Sequence, residues 1–326
     1  MKFPALDYAR PDSLEHIELD IEALDPVTDW REFSYGFKVR PFFPKLVEPV
    51  EERTAWLDEQ DIDVQLVATW PDIYGYGLPR HQSVSWHRIL NDTLGQWCRD
   101  HSPRFGFVAS VPLPNGDDAA QELERAISLG AVAAMISANV EGINIGELSL
   151  DALWGTAERL KLPVIIHPVL AGSAPRAAKF ALTQSTQYTF DTTLGVGSLL
   201  FSGVLDRFPQ LTLVLSHGGG AYPYLAGRFD IMHVRMDRAA QGDVAQKAPS
   251  TYAPMMAYDT IVHAPKALRF LADFVGMDRL VLGTDYSFPP ADLQPLASLR
   301  AAGFSAPDVS RIADKNPRRL FSRLAV

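Results

Sequence analysis

Leu211-Thr-Leu-Val-Leu-Ser-His217 is an apolar run that ends on a histidine and leads straight into Gly218-Gly219-Gly220. A strand with one solvated face alternates apolar and polar residues, whereas a strand covered on both faces of a parallel sheet is apolar throughout. Six more stretches share this form: Gln65-Leu-Val-Ala-Thr-Trp70, Phe105-Gly-Phe-Val-Ala-Ser-Val111, Val132-Ala-Ala-Met-Ile-Ser137, Pro163-Val-Ile-Ile-His167, Met256-Ala-Tyr-Asp-Thr-Ile-Val262 and Arg279-Leu-Val-Leu-Gly-Thr-Asp285. Helical periodicity fills the gaps. Residues 81–100 place Ile89, Leu90, Leu94, Trp97 and Cys98 on one stripe, and residues 118–130, 149–161 and 265–276 read the same way, two of them closing on Gly. A short strand at residues 3–8 brings the count to eight βα units, which predicts an α/β fold of the (β/α)8 TIM-barrel type. The rival is a doubly wound open sheet, but no glycine fingerprint follows an early strand.

No linker, repeat or low-complexity tract divides the 326 residues, so one domain over 1–326 is expected, with its core at about 50–322. Residues 13–50, with Pro26, Pro41, Phe42, Phe43 and Pro44, read as a long irregular segment over the barrel mouth. A composition of 47% hydrophobic and 21% charged residues is that of an ordinary globular chain. The balance of 30 Lys+Arg against 39 Asp+Glu, with no basic block, argues against a nucleic-acid or anionic-membrane partner. One cysteine excludes an internal disulfide framework, and no apolar stretch suits a secretory signal or a membrane span. The expectation is a cytoplasmic enzyme.

His167, His217 and Asp285 each end an apolar run and precede a Pro, Gly or aromatic turn, and in a barrel the C-terminal strand ends form the catalytic face. Two imidazoles and a carboxylate can ligate a metal or move protons near neutral pH. Around them stand His167-Pro168, Ser216-His-Gly-Gly-Gly220 and Leu282-Gly-Thr-Asp-Tyr-Ser-Phe-Pro289. Further blocks are Arg53-Thr-Ala-Trp-Leu-Asp-Glu-Gln-Asp-Ile-Asp-Val-Gln-Leu-Val67, Asn91-Asp-Thr-Leu94, Tyr258-Asp-Thr-Ile-Val-His263 and Asn316-Pro-Arg-Arg-Leu-Phe321. Together they resemble the amidohydrolase-related family over about residues 50–322, and within it the 2-amino-3-carboxymuconate-6-semialdehyde decarboxylase and benzoate-type decarboxylase branch.

The resemblance implies a TIM barrel and, commonly, a homodimer. It also implies a divalent metal, often zinc, held by a His-x-His on strand one, a His on strand five and an Asp on strand eight. His167 and Asp285 match the last two ligands, His217 matches the strand-six acid/base, and Arg53 matches an arginine that binds a substrate carboxylate. The chain departs from the pattern at its start. Residues i and i+2 of a strand face the same way, which is why His-x-His reaches one ion. No His-x-His occurs in this sequence; Leu6-Asp-Tyr-Ala-Arg-Pro11 stands in its place, and Ala9 and Pro11 carry no ligand atom. Loss of a first strand or true replacement both account for this, and the spacing to Arg53 favours replacement. Catalytic zinc normally takes three protein ligands and keeps an open position. Using His167, His217 and Asp285 as all three leaves no free acid/base, so zinc is expected to bind weakly or not at all.

Trp70, Tyr74, Tyr76, Tyr286 and Phe288 are candidates to wall a flat substrate, although aromatic loop residues are as often packing. His263 either faces the pocket or fixes the turn before Pro265, and the second reading is preferred. His81, His87 and His101 are read as surface residues, Cys98 as a buried inert thiol, Met255-Met256 as core and Arg318-Arg319 as a solvated helix face. The leading function is non-oxidative decarboxylation of a small aromatic or muconate-like acid without an organic cofactor. A hydrolase of an amide or lactone bond, and a non-catalytic ligand-binding barrel, are the alternatives.

Overall fold

The seven apolar runs form a single parallel sheet in the computed structural model, which describes residues 20–25, 30–34, 38–41, 43–170 and 175–324. Its strands are β1 (Gln65–Ala68), β2 (Phe105–Ser110), β3 (Ala133–Ser137), β4 (Val164–His167), β5 (Leu213–Leu215), β6 (Ala257–Asp259) and β7 (Leu280–Val281). Each pairs with the next in sequence, and every pair is parallel. This is the order of a βα barrel, and β1 to β7 correspond to the predicted strands two to eight. The predicted first strand at residues 3–8 lies outside the described residues, and among the described residues β1 and β7 pair only on one side.

Most strands are shorter than the apolar runs that announced them. β5 stops at Leu215, β6 at Asp259 and β7 at Val281, so His217 and Asp285 sit on the following loops rather than on strands. The irregular segment expected at residues 13–50 is also more ordered than expected. It contains an antiparallel sheet of Asp20–Asp25, Trp30–Ser34 and Lys38–Pro41, followed by a 3-10 turn at Pro44–Val47.

The main helices are α1 (Val50–Glu59), α2 (Arg80–Asp100), α3 (Gly116–Ser128), α4 (Asp151–Leu160), α5 (Tyr188–Phe201), α6 (Tyr222–Arg235) and α7 (Pro265–Val275). Helix α3 shows why such segments are helical. The Asn115 side chain accepts the Asp118 N–H as an N-cap, and Asp117 and Asp118 place negative charge at the positive end of the helix dipole. Leu123 on α3 and Leu153 and Trp154 on α4 are buried with Ile136 and Val164 of the sheet, in the core between barrel and helices. Each such side chain contributes about 1.5–3 kcal/mol of burial free energy.

Helix α2 corrects the sequence reading. Its buried face is Ser83, Trp86, His87, Asn91, Gly95 and Cys98, at helical spacing and with three polar side chains among them. His87, expected at the surface, is fully buried, with Nδ1 2.9 Å from Ser110 Oγ and its ring stacked on Tyr76. Asn91 braces the end of β2: its amide nitrogen donates to the Ser110 carbonyl at 2.8 Å and to Glu122 at 2.6 Å, and its oxygen accepts the Ser110 N–H at 2.9 Å. Asn91 and His87 Nδ1 point inward here because β2 and α3 offer them matched partners, whereas Ser83 Oγ and His87 Nε2 are buried without a hydrogen bond. Cys98 is buried as expected, and burial pushes its thiol up to about 12, so it stays protonated.

Candidate active site

His167 closes β4, and its Nδ1 lies 2.7 Å from the Pro168 carbonyl oxygen. A carbonyl only accepts, so Nδ1 carries the hydrogen and Nε2 is the basic nitrogen of the neutral ring. His217 and Asp285 adopt the left-handed backbone region, with φ of 54° and 50°. Such angles cost energy in residues with a Cβ and persist where surrounding contacts fix them. The result is convergence: His217 Nε2 lies 3.7 Å from Asp285 Oδ2, and the His167 and His217 rings meet edge-on at 5.2 Å between centroids. One ligand atom from each of the three residues lies within 4.8 Å of the others.

All three line a cavity of about 1380 Å³. That exceeds the usual range for a small-molecule pocket, because the lining runs from the barrel mouth past Leu66 of β1 and Val281 of β7 out to Trp97 of α2 and Arg318. At the mouth, Trp70 and Phe288 pack with Phe43, with ring centroids 5.4–6.3 Å apart, and Trp70, Phe288 and Tyr286 line the cavity. Arg53 also lines it. Its Nη2 donates to Ser287 Oγ at 2.8 Å and to the Lys45 carbonyl at 3.3 Å, its Nε donates to Glu48 at 3.4 Å, and its guanidinium lies 4.9 Å over the Tyr286 ring. These contacts hold a positive charge beside the loop that carries Asp285. Burial, with Glu48 adding to it, pushes the Tyr286 hydroxyl up to about 12, so the ring presents a neutral face.

Burial opposes a charge on His217, but the neighbouring Asp285 and Asp259 carboxylates outweigh it and raise the imidazole above its ordinary value. Asp259 itself is pushed up by burial, against the opposing pull of His217 and of three backbone N–H bonds.

Other candidates fall elsewhere. His263 is exposed and is not among the residues lining the cavity, with φ of 55° in the turn before Pro265. Tyr74 and Tyr76 pack on His87 behind the cavity wall, and the Tyr74 hydroxyl donates to the Met135 carbonyl at 3.3 Å. Sequence reasoning missed Glu48 and Asp259 as lining residues, and Phe43 as the ring that packs on Trp70 and Phe288. Asp259 carried only a partial signal, a carboxylate set within an otherwise largely apolar run, Met256 to Val262.

The amidohydrolase profile matches residues 83–323. This chain belongs to the amidohydrolase family. It is 32% identical over 241 residues to a 2-amino-3-carboxymuconate-6-semialdehyde decarboxylase of Dictyostelium discoideum, across 73% of this chain and 67% of that protein. Its fold is shared with 5-carboxyvanillate decarboxylase from Sphingomonas paucimobilis, at a TM-score of 0.76 and 24% identity over 85% of this chain and 84% of that one. It is shared too with a dihydroxybenzoic acid decarboxylase from Polaromonas solved with bound manganese and 2-nitroresorcinol, at a TM-score of 0.73 and 20% identity over 86% and 88% of the two chains. These are TIM barrels, and the sequential parallel sheet of this amidohydrolase is of that class.

The donor set suits a divalent ion. Ligands about 2.0–2.2 Å from an ion are at most about 4.4 Å apart, and the three donor atoms, within 4.8 Å of one another, need to close by only a few tenths of an ångström. His167, His217 and Asp285 can therefore hold a metal.

Proposed function

We propose that this amidohydrolase is a non-oxidative decarboxylase of a small aromatic or muconate-like carboxylic acid. The observation that carries the reading is a histidine of raised basicity, His217, set 3.7 Å from a carboxylate in an aromatic-walled cavity that also holds an arginine. Replacing a carboxylate by hydrogen needs a proton delivered at carbon, and a raised imidazole supplies one near neutral pH. In the step proposed, the carbon bearing the carboxylate takes a proton from His217 and a C–H bond forms. The C–CO2 bond then breaks, its electron pair returns to the carbon framework, and CO2 leaves. Asp285 orients His217 and stabilises its charged form. Arg53 anchors the acid through charge-assisted hydrogen bonds. Trp70, Tyr286 and Phe288 select a flat ring, and His167 polarises a substrate oxygen.

A panel of dihydroxybenzoates and muconate semialdehydes tests this reading, and CO2 release from at least one is the expected result. Ring opening of lactones or amides with no CO2 from any acid overturns it in favour of a hydrolase. Arg53→Ala is expected to raise KM about tenfold to a hundredfold with a small change in kcat, the loss of one charged hydrogen-bonding anchor. An unchanged KM in steady-state kinetics removes Arg53 from the site.

A divalent ion at this site would be held by His167 and Asp285, with His217 as the only further donor in the cluster among the described residues, and would act as a Lewis acid on a substrate oxygen. We propose weak occupancy, because His217 serves as proton donor and the sequence has no His-x-His. Elemental analysis after purification without chelator is expected to find well below one ion per chain, and one retained zinc or manganese per chain contradicts this.

The reading also carries a homodimer. Phe190 and Leu194 on α5 and Tyr224, Ile231 and Val234 on α6 expose apolar surface, which supports self-association. Light scattering of the eluted protein checks it, with twice the chain mass expected and a single-chain mass contradicting it. No helix among the described residues is long and apolar enough to cross a membrane, and cytoplasmic placement is part of the proposal.

A further inference from the structure

Two neighbouring residues at the end of β6 reach sideways to the loops on either side. Asp259 is buried, and its carboxylate accepts three backbone N–H groups: His217 on Oδ2 at 2.9 Å, and Gly218 and Ile261 on Oδ1 at 2.8 and 3.0 Å. Thr260 is buried beside it, and its Oγ1 accepts the Gly283 N–H at 3.1 Å. Gly283 lies two residues before Asp285. One dipeptide therefore holds the turn that carries His217 and the loop that carries Asp285.

The packing leaves little freedom at either grip. Gly218 has φ of 61°, and a Cβ there would lie 2.4 Å from Val262 Cγ1. A Cβ on Gly283 would lie 2.8 Å from the Asp259 Cβ. Both approaches need glycine. The left-handed backbone of His217 is thus fixed from outside by a carboxylate that receives its own N–H and the next.

We infer that Asp259 and Thr260 form a positioning bracket that sets the separation and orientation of His217 and Asp285. Neither residue is assigned a proton transfer. The chemistry requires a carboxylate at Asp259, since both of its oxygens accept. In Asn one oxygen becomes an NH2 group, which faces a backbone N–H and repels it. It requires only a hydroxyl at Thr260, so Ser preserves the contact and Val, of the same shape, abolishes it.

The kinetic part of the test rests on the decarboxylase reading, and an exchange measurement stands apart from it. In the full-length protein, Asp259→Asn and Thr260→Val are expected to lower kcat per folded chain about tenfold to a hundredfold, with KM changed less than about threefold, as displacement of a reacting group by an ångström does. Thr260→Ser is expected to restore most of the rate. By amide hydrogen exchange, His217 or Gly218, whichever faces the new NH2 group, loses protection in Asp259→Asn, and Gly283 loses it in Thr260→Val, with or without turnover. Undiminished protection at these amides overturns the bracket, even if no substrate has been found. Lost protection with wild-type kcat per folded chain overturns its role in catalysis. So does a Thr260→Ser variant as slow as Thr260→Val.

Discussion

With His217 replaced by glutamine, kcat for decarboxylation is expected to fall about a hundredfold to ten-thousandfold while KM stays within a few-fold. The range is the usual contribution of a positioned general acid. Glutamine keeps a polar side chain of similar reach, so the aromatic wall and Arg53, the proposed anchor, stay in place and substrate is expected to bind still. What disappears is the transferable proton on a group held above ordinary histidine basicity by Asp285 and Asp259 against the opposing effect of burial. Steady-state kinetics check the split. A His217→Gln variant within about threefold of wild-type kcat assigns the proton to another group.

The second large effect is on stability in acid. Burial pushes His87 down to about 3, with a smaller upward pull from the Tyr74 carbonyl. In the unfolded chain a histidine titrates near 6.5. Above that value both states leave His87 neutral, and its environment is stabilising in full. As pH falls below it, the unfolded state takes up a proton that the folded state refuses, so folding weakens by about 1.4 kcal/mol per pH unit until the folded value is reached. At pH 4 the loss is on the order of 3 kcal/mol, a large share of the 5–15 kcal/mol that holds a typical domain. His87→Gln can still meet Ser110 but does not titrate. Urea unfolding at pH 7, 6, 5 and 4 is expected to give a shallower pH dependence for His87→Gln than for wild type. Equal slopes locate the acid sensitivity elsewhere.

The barrel was legible because strands covered on both faces are written as unbroken apolar runs, and seven of them pair in sequence order. Where those strands end was less legible. An aliphatic Leu282 continues past β7, and β5 gives way only to Ser216 and then His217; the positive φ of His217, with those of Gly218 and Asp285, marks chain that has left the sheet. A positive φ in a histidine or aspartate depends on contacts from other strands, which a linear sequence does not display. The three polar strand-end residues could be read directly, because a His or Asp closing an apolar run stands out. Asp259 lay inside a longer run, Met256 to Val262, and was read as part of the strand. His87 was missed for the opposite reason. Its polar stripe on α2 is buried only because Ser110 and Asn91 lie opposite or alongside, and hydrophobicity patterning carries no sign of such pairing. The aromatic candidates separated by position: Trp70, Tyr286 and Phe288 reach the cavity, whereas Tyr74 and Tyr76 pack on His87.

The most direct test of a proton delivered to carbon is a turnover in D2O with a substrate carrying 13C in its carboxyl group. The prediction is one labelled CO2 for each deuterium found at the vacated ring or chain carbon. Label that remains in the product, with oxygen from solvent added instead, contradicts the account and assigns the cavity to hydrolysis.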